Sequence, residues 1–118
     1  MKTVSNLALP HDPPTDDAHA NAAVLDAAGE LLRALAAPVR IAIVLQLREA
    51  ARCVHELVDT LDVPQPLVSQ HLRILKAAGV VAGERTGREV RYSLVDHHLA
   101  EIVLAAVAHA GEFTEGPH

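Results

Sequence analysis

The 118-residue sequence predicts a mainly α-helical fold carrying one β-hairpin. Three observations predict it. Apolar residues recur at helical spacing through most of the chain after residue 20, Pro38, Pro64 and Gly79 mark helix boundaries, and two short segments of strand character flank Thr86-Gly87-Arg88. With one Phe, one Tyr and no Trp, the core must be built from Ala, Val, Leu and Ile, which suits close helix packing.

The elements follow in order. Residues 1–20 read as a flexible arm rich in Pro, Asp and His. A first helix is expected from the N-cap Asn21 to Ala36, with Val24, Leu25, Ala28, Leu31, Leu32 and Leu35 on one side. Pro38 opens a second helix, where its missing N–H costs nothing, and that helix is apolar nearly all round and so central to the fold. A third spans Val54 to Leu61 and is broken by Asp62-Val63-Pro64. A fourth runs from about Gln65 to Ala78 and stops at Gly79. The hairpin strands are Val80–Arg85 and Glu89–Leu94. A last helix runs from about Asp96 to Glu112, so the folded domain covers 21–113 and leaves a tail at 114–118. Helix, helix, helix, turn, helix, hairpin, helix is the layout of a winged helix-turn-helix.

Half of the residues are hydrophobic, which excludes a disordered chain. A monomer this small has a limited core, which a shared dimer core would enlarge. No apolar run reaches the roughly 18 residues of a membrane span. The front end lacks a secretory layout, and the lone Cys53 excludes an intramolecular disulfide. A cytoplasmic protein without membrane partners is expected. No H-E-x-x-H pattern, Gly-rich phosphate loop or nucleophile constellation is present, so an enzyme is not expected.

The net charge of −5 argues against a nucleic acid partner, but its distribution argues for one. Between Gln65 and Arg91 stand five basic residues and two acids, a local excess of +3. On the fourth helix Val68, Leu72 and Leu75 fall at i, i+4 and i+7 and face the core, which turns Pro66, Ser69, Gln70 and Arg73 outward. Gln65 stands at the end where recognition helices enter the major groove. Gln can bind adenine and Arg guanine through two hydrogen bonds each, and Ser can reach base or phosphate. Arg85, Arg88 and Arg91 cluster at the hairpin, suited to phosphates or the minor groove. A solvated polar surface is the plainer reading of the same residues. His71, at the edge of the core stripe, reads as a structural histidine rather than a base reader.

The last helix carries Asp96 and His98 at its start and His109 and Glu112 at its end, all plausible zinc ligands. His98 and His109 are eleven residues apart, roughly 16 Å along a helix, too far for one ion. Eleven residues is also about three full turns, so both ends share a face, with Ile102 and Ala105 between them. Two copies packed antiparallel about a two-fold axis would bring the start of one against the end of the other, giving two sites per dimer. Caps and dipole partners are the alternative role for such residues at helix ends.

Taken together, LLRALAAPVRIAIVLQL, CVHEL, QPLVSQHLRILKAAGVV, GERTGREVRYSL and the final D-x-H, ten residues, H-x-x-E pattern resemble the ArsR/SmtB family of bacterial metal-sensing repressors, over roughly Leu25 to Glu112. The resemblance implies a homodimer, joined through its N- and C-terminal helices, that binds an inverted repeat in double-stranded operator DNA and is released by metal. It implies Asp96, His98, His109 and Glu112 as ligands, with zinc favoured and two zinc ions per dimer; nickel or cobalt, or an oxidant acting on Cys53, are the alternatives. A second family site, near the third helix, draws on a Cys-containing motif and the N-terminal arm. Cys53, His55 and Glu56 are its candidates here, with an ordinary buried thiol at Cys53 the favoured alternative. The arsenic-type C-x-C pair is absent because residue 55 is His.

Overall fold

The computed structural model describes residues 21–114. The described residues fall into two units, 21–30 and 31–114. The arm expected at 1–20 and all of the expected tail except Thr114 lie outside the described residues.

Eight elements follow one another: α1 (Ala22–Leu35), α2 (Pro38–Glu49), β1 (Arg52–Cys53), α3 (Val54–Leu61), α4 (Gln65–Ala77), β2 (Val81–Thr86), β3 (Glu89–Leu94) and α5 (His98–Thr114). Asn21 caps α1, its Oδ1 accepting the N–H of Ala23 at 2.7 Å. Pro38 is in the first turn of α2, where the N-cap Ala37 makes no side-chain capping bond. Arg40, from that first turn, donates its Nε–H to the carbonyl of Ala34 at 2.6 Å, serving an acceptor that the end of α1 leaves open.

The core of residues 31–114 is wholly aliphatic at its centre. Ile43 and Val44 of α2, Leu57 of α3, Val68, Leu72 and Leu75 of α4, and Val80 are fully buried. Leu99 and Val103 of α5 close it from the other side, with Tyr92 and Leu94 of β3 packed against the cluster. The three α4 residues that helical spacing turns inward are the three buried there.

The break between α3 and α4 is made by Asp62, which takes the left-handed conformation (φ 58°) and donates its N–H to the carbonyl of Val58 at 2.9 Å. Asp tolerates this region better than branched residues do. α4 ends in a two-bond cap. Gly79 (φ 78°) donates to Lys76 O at 3.0 Å and Val80 donates to Leu75 O at 2.9 Å. That cap uses the N–H of Val80, so β2 begins at Val81, one residue later than the apolar pattern predicts.

β2 and β3 pair antiparallel from Val81↔Leu94 to Thr86↔Glu89, leaving Gly87-Arg88 as a two-residue turn with Gly87 at φ 67°. The sequence reading missed β1. It pairs with β3 as Arg52↔Tyr92 and Cys53↔Arg91, giving the order β1-β3-β2. Two residues carry no periodic signal, so only the partner strand reveals them. α5 begins two residues after the expected Asp96 because Asp96 is its cap, accepting the N–H of His98 on Oδ1 at 2.9 Å. Among the described residues, no helix is long and apolar enough to cross a membrane.

Candidate metal centre and nucleic-acid face

The two ends of α5 carry separate pairs of metal-binding groups. Asp96 Oδ1 lies 2.8 Å from His98 Nδ1, and His109 Nδ1 lies 3.9 Å from Glu112 Oε1. All four side chains are at least half exposed, the histidines both 70%. The N–H of His98 holds the Asp96 carboxyl below the usual carboxylate range, with the His98 and His97 rings adding to the effect. Asp96 is therefore ionised and ready to accept a cation at neutral pH. His97 stacks on the His98 ring, centroids 4.8 Å apart, and reaches Glu101 at 3.8 Å, so it fixes the ring beside it.

α5 has two faces of different character. Leu99, Ala100 and Val103 are buried against the core. The stripe through His98, Ile102, Ala105, His109 and Glu112 is exposed along its whole length, with the exposed Phe113 beside it, while Leu104 and Val107 are exposed on other sides of the helix. Within one chain the two pairs stay at opposite ends of this stripe.

On α4, Gln65, Pro66, Gln70 and Arg73 are exposed and Ser69 is half-buried. Arg85 and Arg88 are exposed on the hairpin. Arg91 differs from them. Its Nη1 donates to Glu56 Oε1 at 3.4 Å and its side chain is half-buried, so part of its charge is already answered within the fold. His71 accepts a hydrogen bond on Nδ1 from the Arg40 guanidinium at 3.1 Å, since Arg can only donate. Burial, and then the Arg40 charge, lower its pKa.

The second candidate set is rearranged. Cys53 is buried and His55 exposed, with Sγ to Nδ1 3.4 Å. Glu56 stays beside Cys53, its carboxyl also engaging the thiol, and the Cys53 side chain accepts the Glu56 N–H. Its Oε1 accepts the N–H of Cys53 at 2.9 Å, capping α3, and also faces Arg91. The backbone bond is the main reason its pKa falls below the usual carboxylate value. The carboxylate that meets the histidine is Glu89, from β3, with Oε2 3.6 Å from His55 Nδ1. The sequence reading missed Glu89. Its signal was present only as a register: Cys53 stands opposite Arg91, two residues along β3 from Glu89.

Comparison with known proteins agrees with this architecture. The family profile described as "Bacterial regulatory protein, arsR family" matches residues 37–82, from α2 into β2. The HTH-type transcriptional repressor SmtB of Mycobacterium tuberculosis is 85% identical over 89 residues, which are 75% of this chain and 66% of that protein, just under two thirds of its length. The uncharacterized HTH-type transcriptional regulator MJ1325 of Methanocaldococcus jannaschii is 39% identical over 77 residues, 64% of this chain and 86% of that one. Among solved structures, the homodimeric winged helix-turn-helix DNA-binding domain Mb0332 from Mycobacterium bovis aligns with TM-score 0.71 at 26% identity, covering 88% of this chain and 94% of its own. The fold is thus a winged helix-turn-helix, and the chain belongs to the arsR family of bacterial regulatory proteins.

Proposed function

We propose that two copies of this chain form a zinc-responsive transcriptional repressor, whose metal-free dimer binds an inverted repeat in operator DNA and whose zinc-loaded dimer lets go. The observation that carries this reading is the pair of exposed half-sites at the two ends of one α5 stripe. Each end offers one imidazole and one carboxylate. Two antiparallel helices would complete the four ligands of a tetrahedral site at each end, two sites per dimer. The donor set fits zinc, which accepts nitrogen and oxygen ligands at about 2.0–2.2 Å. Bound there, the ion would supply a cross-link between subunits.

The rest lies with the chain. The exposed Ile102 gives the helix pair an apolar contact on the ligand-bearing stripe, and the small Ala105 allows close approach. Only Val95, Asp96 and His97 separate α5 from β3, and α5 is packed into the core beside α2. A change in the angle between paired α5 helices therefore reaches the wing and α4. In a DNA-binding dimer the two α4 helices must stand one helical turn apart, roughly 34 Å, to enter successive major grooves. Gln65, Gln70 and Arg73 would read base edges with Ser69 beside them, and Arg85 and Arg88 would meet the backbone, with Arg91 buttressing the wing through Glu56. By linkage, DNA weakens zinc binding by the factor that zinc weakens DNA binding. Such a regulator works in the cytoplasm, where the operator is.

The test is a gel shift on the operator with and without zinc. His98→Gln and His109→Gln should keep operator binding and lose zinc-driven release; normal release by both variants would rule out the α5 site. Peroxide serves as the control for release through Cys53, whose 3% exposure shields its sulfur from an oxidant.

A further inference from the structure

Cys53, His55 and Glu89 bring a thiol, an imidazole and a carboxylate together, with one ligand atom from each within 4.8 Å of the others. The fold gathers them from two elements. Cys53 ends β1 and lies opposite Arg91 on β3, and Glu89, two residues away, shares that face of the strand. His55 stands two residues on from Cys53, in the first turn of α3.

The spacing is that of a coordination shell. Cys53 Sγ to His55 Nδ1 is 3.4 Å, and His55 Nδ1 to Glu89 Oε2 is 3.6 Å. Tetrahedral zinc, with bonds of about 2.3 Å to sulfur and 2.0–2.2 Å to nitrogen and oxygen, holds such atoms about 3.3–3.6 Å apart. An ordinary surface ion pair between His55 and Glu89 accounts for this less well. The sulfur lies near both ring nitrogens, 3.4 Å from Nδ1 and 3.6 Å from Nε2, while Nδ1 also faces the carboxylate, so an ion pair alone leaves the thiol out. A cation between them is served by all three. The neighbouring Arg91 does not compete, because it is paired with Glu56.

We propose that Cys53, His55 and Glu89 form a second metal site within a single chain, for a borderline divalent cation such as zinc or cobalt(II), with a fourth position open to water. It differs from the second site implied by the family resemblance in taking its carboxylate from the wing, in leaving Glu56 to cap α3, and in needing nothing from residues 1–20. Loading deprotonates the thiol and ties the turn end of β3 to the start of α3. The wing that carries Arg85 and Arg88 is then held to the helix-turn-helix by a metal bond as well as by the β1–β3 ladder. This site stands independently of the α5 pattern.

The probe is cobalt(II) added to the full chain carrying His98→Gln and His109→Gln, so that the α5 pattern is removed. The expected result is one tight cobalt per chain with a thiolate-to-cobalt charge-transfer absorption in the near ultraviolet. Cys53→Ser should abolish that band. Because Cys53 is buried, the decisive variants are His55→Gln and Glu89→Gln, at exposed positions where the fold is retained, each weakening cobalt binding about tenfold or more. Absence of the thiolate band would overturn the proposal. So would unchanged affinity in Glu89→Gln, above all if Glu56→Gln lost it instead. None of these outcomes bears on release through α5, whose histidines are missing throughout.

Discussion

His98 and Asp96 hold each other at the start of α5: one carboxylate oxygen of Asp96 accepts the His98 N–H at 2.9 Å and stands 2.8 Å from its ring Nδ1. The helix cap and half of the proposed ligand set are therefore the same two residues. The other half lies at the far end of the helix, which leads to a prediction about mixed dimers.

Chains carrying only His98→Gln and chains carrying only His109→Gln should each bind no zinc at α5 as homodimers. Refolded together, a mixed dimer regains one intact site, built from the unaltered end of each chain. With random pairing half of the dimers are mixed, so about a quarter of the wild-type zinc at α5 should return. Equilibrium dialysis, with the Cys53 site disabled in both chains, reads the result. No recovery would mean that the antiparallel arrangement is wrong.

Arg73 is exposed on α4 and Arg88 at the hairpin turn, and they should fail in different ways. Arg73→Ala should cost about 1–3 kcal/mol of operator affinity and relax preference at one base position. Arg88→Ala should weaken binding equally across sequences and reduce the salt slope by about 1. Fluorescence titrations at several salt concentrations separate them; unchanged affinity in Arg73→Ala would remove it from the reading face.

The half-buried His71 accepts from Arg40, and burial with that nearby charge depresses its pKa below the ordinary 6.5. The unfolded chain then takes up the proton first. Stability that depends on neutral His71 is complete above about pH 6.5 and is lost as pH falls through the lower folded value. His71→Asn keeps an acceptor for Arg40 without titrating. Urea unfolding across this range should show a shallower acid loss in the variant than in the wild type, and parallel curves would exclude the effect.

Gly83 sits in β2 opposite Tyr92, where a Cβ would come within 2.8 Å of Val90 Cγ1 and 3.1 Å of Tyr92 Cε1. Val is stiff at χ1, so it cannot swing aside. Gly83→Ala should cost about 1–3 kcal/mol in chemical denaturation. A neutral outcome would show that the hairpin shifts freely to admit a methyl group.

Much of this was readable in advance because it is local. The 3.6-residue period marked Val68, Leu72 and Leu75 as the buried stripe of α4. Gly79 ended that helix because its left-handed turn is open to glycine. The strand from Glu89 to Leu94 followed from local pattern, whereas α5 starts and ends two residues later than expected and β2 takes in Thr86, which the reading had left to the turn. What the sequence could not show depends on which strands meet.

β1 is only two residues long, and its partner lies almost forty positions away, so no local pattern encodes it. That one pairing redirected the second candidate set: it placed Glu89 beside His55, while Glu56 was taken by the Cys53 N–H and by Arg91. Periodicity decides which face of an element is turned inward. Only packing decides what stands opposite it, because register and burial are set by the whole chain at once.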